Sequence, residues 1–205
     1  MLTTDDIRRR IYEVVPAASF HMHKILSLTE IVLTDTVATA AVDVGARSRL
    51  SLNPAFVERY CARDEHLFLL VMHELHHVIL GHTRLFPRLT LHHNIAFDAL
   101  INAALCKQFP GPEFDGFFEA LNPWTAFPSR LLRPPPSWRA SGGKVLDSDV
   151  VGIPQREQRI IRRLYDTAYE QVTFQEILDL LKERAEEAWA EIAPFLLGDH
   201  SPEAN

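Results

Sequence analysis

The stretch Asp64–Gly81, DEHLFLLVMHELHHVILG, decides how this chain is to be read. Asp64 is suited to cap a helix, Glu65 to its first turn and Gly81 to its end, which predicts a helix of about four to five turns. Between these signals Leu67, Phe68, Leu69, Leu70, Val71, Met72, Leu75, Val78, Ile79 and Leu80 cover nearly every face. A helix that is apolar all round is a buried helix. Yet His73, Glu74, His76 and His77 stand in its middle, and buried ionisable groups are costly unless something pairs with them.

The spacing suggests that partner. His73-Glu74-Leu75-His76-His77 reads H-E-x-x-H. At about 100° per residue, His73 and His77 lie one turn apart on one face, about 40° out of line. Two imidazoles stacked in this way can bind one tetrahedral Zn2+ ion, with Glu74 beside them to take a proton from a metal-bound water. The plainer alternative is a cluster of core histidines with no ion, which leaves their burial uncompensated.

The rest of the composition narrows the class. With 205 residues, 47% of them apolar, one domain with a real core is the default. Net charge is −6 and the longest basic run is Arg8–Arg10, read as the solvated face of a helix, so no nucleic-acid partner is expected. Cys61 and Cys106 form no C-x-x-C pair and read as reduced, buried, small apolar residues. The N-terminus lacks a signal pattern, and the longest purely apolar run, Leu67–Met72, is too short to span a bilayer. The expectation is a soluble cytoplasmic protein with no membrane partner.

Along the chain, Thr3 or Thr4 before Asp5 and Asp6 opens a helix carrying Ile7, Ile11 and Val14. Pro16 interrupts it, and residues 17–28 restart it with His21 and His23 as surface residues. Within 30–52, the runs Ile31-Val32-Leu33, Val37–Val44 and Leu50–Leu52 predict two or three strands in an antiparallel meander, broken at Thr34-Asp35 and Gly45. A short helix at Ala55–Cys61 leads into the central one. After a connector containing Pro87, a second helix is predicted over His93–Lys107, with Asn94, Asp98 and Asn102 forming one polar stripe at i, i+4 and i+8.

Residues 109–136 hold seven of the thirteen prolines. Residues 109–150 therefore read as a loop insertion, partly packed down by Phe114, Phe117, Phe118, Trp124, Phe127 and Trp138. It could serve as a substrate-cleft wall, a partner-binding surface or a plain mobile insertion. Pro154 opens a helix with Ile160, Ile161 and Leu164. Thr173–Glu176 is a capping box for a last helix running on through Glu183–Glu191. The tail 199–205 reads as disordered, leaving one domain over residues 1–198.

A zinc hydrolase uses three protein ligands plus water. The candidates for the third are His76, His82, His92, His93 and Asp98. His76 lies about 60° round the helix from His73, where chelation is strained. His82 falls on nearly the opposite side unless the helix unwinds at Gly81, and it could equally cap the helix C-terminus. Asp98 is favoured because its helix could fold back antiparallel on the first, with Asn94 and Asn102 placed to orient the carboxylate.

Three runs, in this order, carry a family resemblance. They are Leu50-Ser51-Leu52-Asn53-Pro54-Ala55-Phe56-Val57, Met72–His82 (MHELHHVILGH) and Asn94–Asn102 (NIAFDALIN). Together they resemble the zincin-type metallopeptidase domain often found attached to a VWA-like domain, over about residues 50–105. The resemblance implies an α+β zincin-like fold, with a small antiparallel or mixed sheet of two to four strands packed on the buried H-E-x-x-H helix and further helices before and after. It implies zinc on His73, His77 and Asp98, with Glu74 as general base. It also implies that the strand ending at Leu52 forms an edge along which a peptide could lie. No VWA-like domain follows residue 205, so the chain is read either as a stand-alone member or as a segment of a longer one.

The expected function is hydrolysis of peptide bonds in a peptide or protein substrate, with His76, His82, His92 or a tyrosine of the last helices as oxyanion partner. The alternative is a catalytically silent zinc domain that binds a partner protein, through residues 109–150 or its acidic last helix.

Overall fold

Reciprocal capping sets the first helix, α1 (Thr4–Val14). Thr3 Oγ1 accepts from the Asp6 amide and the Asp6 carboxylate accepts from the Thr3 amide, each at 3.2 Å. Ile7 and Ile11 are fully buried, and each burial stabilises by roughly 1.5–3 kcal/mol. Val15, not the expected Val14, completes the apolar face. The chain leaves the helix there in an extended conformation, which turns the Val15 side chain inward. The arginine triplet is not a uniformly solvated face. Arg10 is largely buried; it pairs with Asp64 and donates to the Cys61 carbonyl at 2.5 Å.

The computed structural model describes residues 2–15, 24, 27, 29–44, 48–81, 90–111, 113, 114, 116–185 and 197. The expectations for Pro16, His21, His23, Gly45, His82, Pro87 and residues 199–205 lie outside these. The chain divides into two compact units, Met1–Leu89 with Leu197–Asn205, and Thr90–Leu196. The architecture is α+β, with a three-stranded mixed sheet and eight α-helices among the described residues.

In the first unit the strands are β1 (Glu30–Leu33), β2 (Ala40–Val44) and β3 (Ser48–Leu52), in the order β1-β3-β2. β3 runs parallel to β1 and antiparallel to β2, with Leu50 opposite both Ile31 and Val42. This corrects two expectations: the strands do not form an antiparallel meander, and the strand ending at Leu52 is central, not an edge. The cause lies in the connection 34–39. Its ends bond to the close of β3 on both sides, Thr34 N to Leu52 O at 3.0 Å and Asn53 N to Thr39 O at 2.8 Å. The connection therefore arches over β3 and holds β1 and β2 one strand apart. Asn53 secures the arch, donating from Nδ2 to Val37 O at 2.8 Å. Its Oδ1 meanwhile caps α2 (Pro54–Tyr60) by accepting from Ala55 and Phe56.

The central helix is α3 (Asp64–Ile79). Arg63, not Asp64, is the N-cap, without a side-chain capping bond; Asp64 is the first helical residue, drawn to Arg10. The stop is where the glycine predicts it. Leu80 N donates to His76 O at 2.9 Å, Gly81 N donates to Val78 O at 3.0 Å, and Gly81 takes φ 68°. Every residue from Leu67 to Leu75 is buried, and α3 packs on α1 and β2. No helix among the described residues is long and apolar enough to cross a membrane.

The second unit is built on α4 (Leu91–Gln108), followed by α5 (Phe117–Leu121), a 3-10 turn (Ser129–Leu132), α6 (Asp147–Val150), α7 (Gln155–Tyr165) and α8 (Phe174–Glu183). α4 begins two residues before its expected start because Thr90 caps it through His93. The proline-rich stretch packs down as its aromatics predicted. Phe127, Leu131, Leu132, Trp138, Val145 and Val150 share one core with α4, α7 and α8. Two buried donors pin it: Tyr165 Oη to Leu131 O at 3.0 Å, and Trp138 Nε1 to Tyr165 O at 2.8 Å. The Thr173–Glu176 capping box is present. α8 stops at Glu183, short of the expected run, and residues beyond 185 up to Glu191 lie outside the described ones.

Candidate metal centre

The helical repeat of α3 brings His73 and His77 to one face, as their spacing requires. Both are buried, their ring centroids are 4.8 Å apart, and Nε2 faces Nε2 at 3.0 Å. Two neutral imidazoles can share such an approach only if one of them presents N–H and the other its lone pair. Glu74, the next residue, is completely buried.

Asp98 is buried on α4. One ligand atom each from His73, His77 and Asp98 lie within 4.8 Å of one another. Tetrahedral zinc with bonds of about 2.0–2.1 Å holds its donors about 3.3 Å apart, so the 3.0 Å pair and the wider three-atom limit fit such an ion. Two imidazoles and a carboxylate are also a common zinc donor set, and the charge of a cation offsets the burial of an acid.

Two of the remaining candidates, His76 and His93, have other occupations. His76 turns its Nδ1 back to Met72 O at 2.6 Å. A carbonyl only accepts, so Nδ1 carries the proton of this bond. His93 Nδ1 meets Thr90 Oγ1 at 2.6 Å and accepts from the Thr90 amide at 3.2 Å, while its ring stacks 6.0 Å from Phe174. Burial, then the charges of Lys182 and His92, push its pKa below the usual histidine range. His93 is thus a helix cap and packing residue. His92 is half-buried in the first turn of α4 and is not in the three-ligand set.

The polar stripe divides its work. Asn102 is buried and donates from Nδ2 to Leu132 O at 2.9 Å, tying the 3-10 turn to α4. Asn94 keeps a buried Oδ1 without a hydrogen-bond partner among the described residues. Of the tyrosines considered for the oxyanion, Tyr165 is fully buried with its hydroxyl committed to Leu131 O, and burial raises its pKa well above the ordinary value. Tyr169 is half exposed.

Both cysteines are free thiols, Cys61 buried and Cys106 half-buried, and burial pushes both up to about 12. Sequence reading missed the Thr90 cap, although T-x-x-H at 90–93 has the spacing of a capping box. It also missed Glu157, which is completely buried between Arg130 and Arg184. No protein-family model, curated protein or solved structure matches the chain.

Proposed function

We propose that this chain is a zincin-like, zinc-dependent peptidase in which His73, His77 and Asp98 hold the metal and Glu74 is the general base. The observation that carries the reading is the buried trio of ligand atoms, with a completely buried carboxylate next in sequence to one of its histidines. A site needed only for fastening the fold has no use for that acid.

Zinc, when bound, supplies Lewis acidity: it polarises a peptide carbonyl and makes water acidic near neutral pH. Glu74 takes the proton from the attacking water and returns it to the leaving amine nitrogen. The apolar residues Phe68–Met72 and Leu75 on the same helix exclude bulk water, which strengthens each charge interaction in the site. An extended substrate that adds as a strand would pair with β1 or β2, the outer strands, because both sides of β3 are already bonded.

The test is Glu74→Gln, which preserves shape and removes the base. Cleavage of a peptide library is expected to fall by about 10²–10⁴-fold while zinc content stays at the wild-type level. Equal cleavage by the two proteins would sink the proposal.

A further inference from the structure

A second site stands in the unit formed by Thr90–Leu196. Along α7, Arg156, Arg159 and Arg163 follow at i, i+3 and i+7, and Arg162 lies beside them. These four arginines line a pocket of about 340 Å³ with Ile160, Tyr169 and Glu176. Like charges one turn apart on a helix repel, so such a row is favourable only where anions balance it.

The balance is incomplete. Arg156 pairs with Glu183, Arg162 with Asp147 and the Val145 carbonyl, and Arg163 with Glu176 and the Glu170 and Gln171 carbonyls. Arg159, in the middle of the row, is exposed and has no hydrogen-bond or ion-pair partner among the described residues. Tyr169, which also lines the pocket, is 49% exposed. Arg162 and Arg163 are tied to backbone carbonyls, while the exposed Arg156–Glu183 pair is weak and exchangeable.

We infer that this pocket binds a small phosphomonoester, its dianionic phosphate between Arg156 and Arg159 and its organic body against Tyr169. A phosphate matches the planar fork of arginine in two parallel hydrogen bonds, and it is close to doubly charged at neutral pH. The volume falls at the small end of ligand pockets, about 300–1,000 Å³. A polyanion is disfavoured because the chain carries a net charge of −6. The assignment is independent of the metal reading.

Calorimetric titration of the whole chain with phenyl phosphate, and separately with inorganic phosphate, tests it. Phenyl phosphate is expected to bind saturably, and Arg159→Gln to weaken it at least about tenfold with an unchanged melting temperature. Tyr169→Leu should weaken phenyl phosphate and leave inorganic phosphate alone. If inorganic phosphate binds as tightly as phenyl phosphate to the wild type, with the same loss in Arg159→Gln, the oxyanion site stands and free phosphate is its source. No saturable binding, equal binding by Arg159→Gln, or a response only to oligonucleotides or anionic vesicles would overturn it.

Discussion

The Nε2 atoms of His73 and His77 face each other at 3.0 Å across one turn of a buried helix. Their lone pairs repel unless a proton or a cation stands between them. A proton serves one pair only; a divalent ion serves both rings and the Asp98 carboxylate together.

Removing Asp98 should remove the ion. Zinc content of purified Asp98→Ala, measured by mass spectrometry, is expected to drop well below one per chain. Chelation should lower the melting temperature of the wild type and leave that of the variant unmoved. At free zinc about 100 times its dissociation constant, the ion adds about 2.7 kcal/mol of stability. Unchanged zinc in the variant would reassign the third ligand.

Glu157 is the charge whose loss should be felt most in the second unit. It is wholly buried, and Arg130 and Arg184 reach it with side chains only 12% and 14% exposed. Glu157→Gln leaves two cations without their anion, at a cost of about 3–5 kcal/mol, read by urea denaturation. A loss below about 1 kcal/mol would mean that water solvates both arginines.

Arg10 joins α1 to the start of α3. Arg10→Met keeps much of the aliphatic stem and loses the bonds to Asp64 and the Cys61 carbonyl. A double-mutant cycle with Asp64→Asn should return a coupling of about 1 kcal/mol. Coupling within experimental error of zero would reduce the pair to a surface contact.

Acid should loosen α8 at its first turn. Hydrogen bonds from Arg163, then from the Thr173 amide and hydroxyl, hold the Glu176 carboxyl at about 2, below its ordinary 4.5. A depressed folded-state pKa contributes stability that is present above the unfolded value and is lost as pH falls through the folded one. The window is therefore pH 4.5 down to about 2. Because Glu176 is largely solvated, the effect is small. Glu176→Gln should flatten the stability–pH curve there, while Thr173→Ala should cost about 1 kcal/mol at neutral pH.

The elements written in local chemistry were legible in the sequence. Caps at Thr3 and Thr173, the stop at Gly81 and the polar stripe of Asn94, Asp98 and Asn102 each act within one or two helical turns. The paired histidines belong to the same class, because the helical repeat alone puts them on one face. Strand order was not legible: the pattern of 30–52 is compatible with a meander, and only the bonds of Thr34 and Asn53 to the end of β3 decide otherwise. Nor was the fate of the asparagines, since Asn102 is claimed by a carbonyl thirty residues away.

By itself, then, the sequence determined which side chains could ligate a metal and on which helices they ride, because that depends on spacing of a few residues. Only the tertiary structure decided that Asp98 joins His73 and His77, that His93 is spent on a cap, and that β3 lies in the middle of its sheet. Those outcomes rest on contacts between residues distant in the chain, whose pairing is selected by burial and hydrogen bonding in the folded molecule and leaves no periodic trace along it.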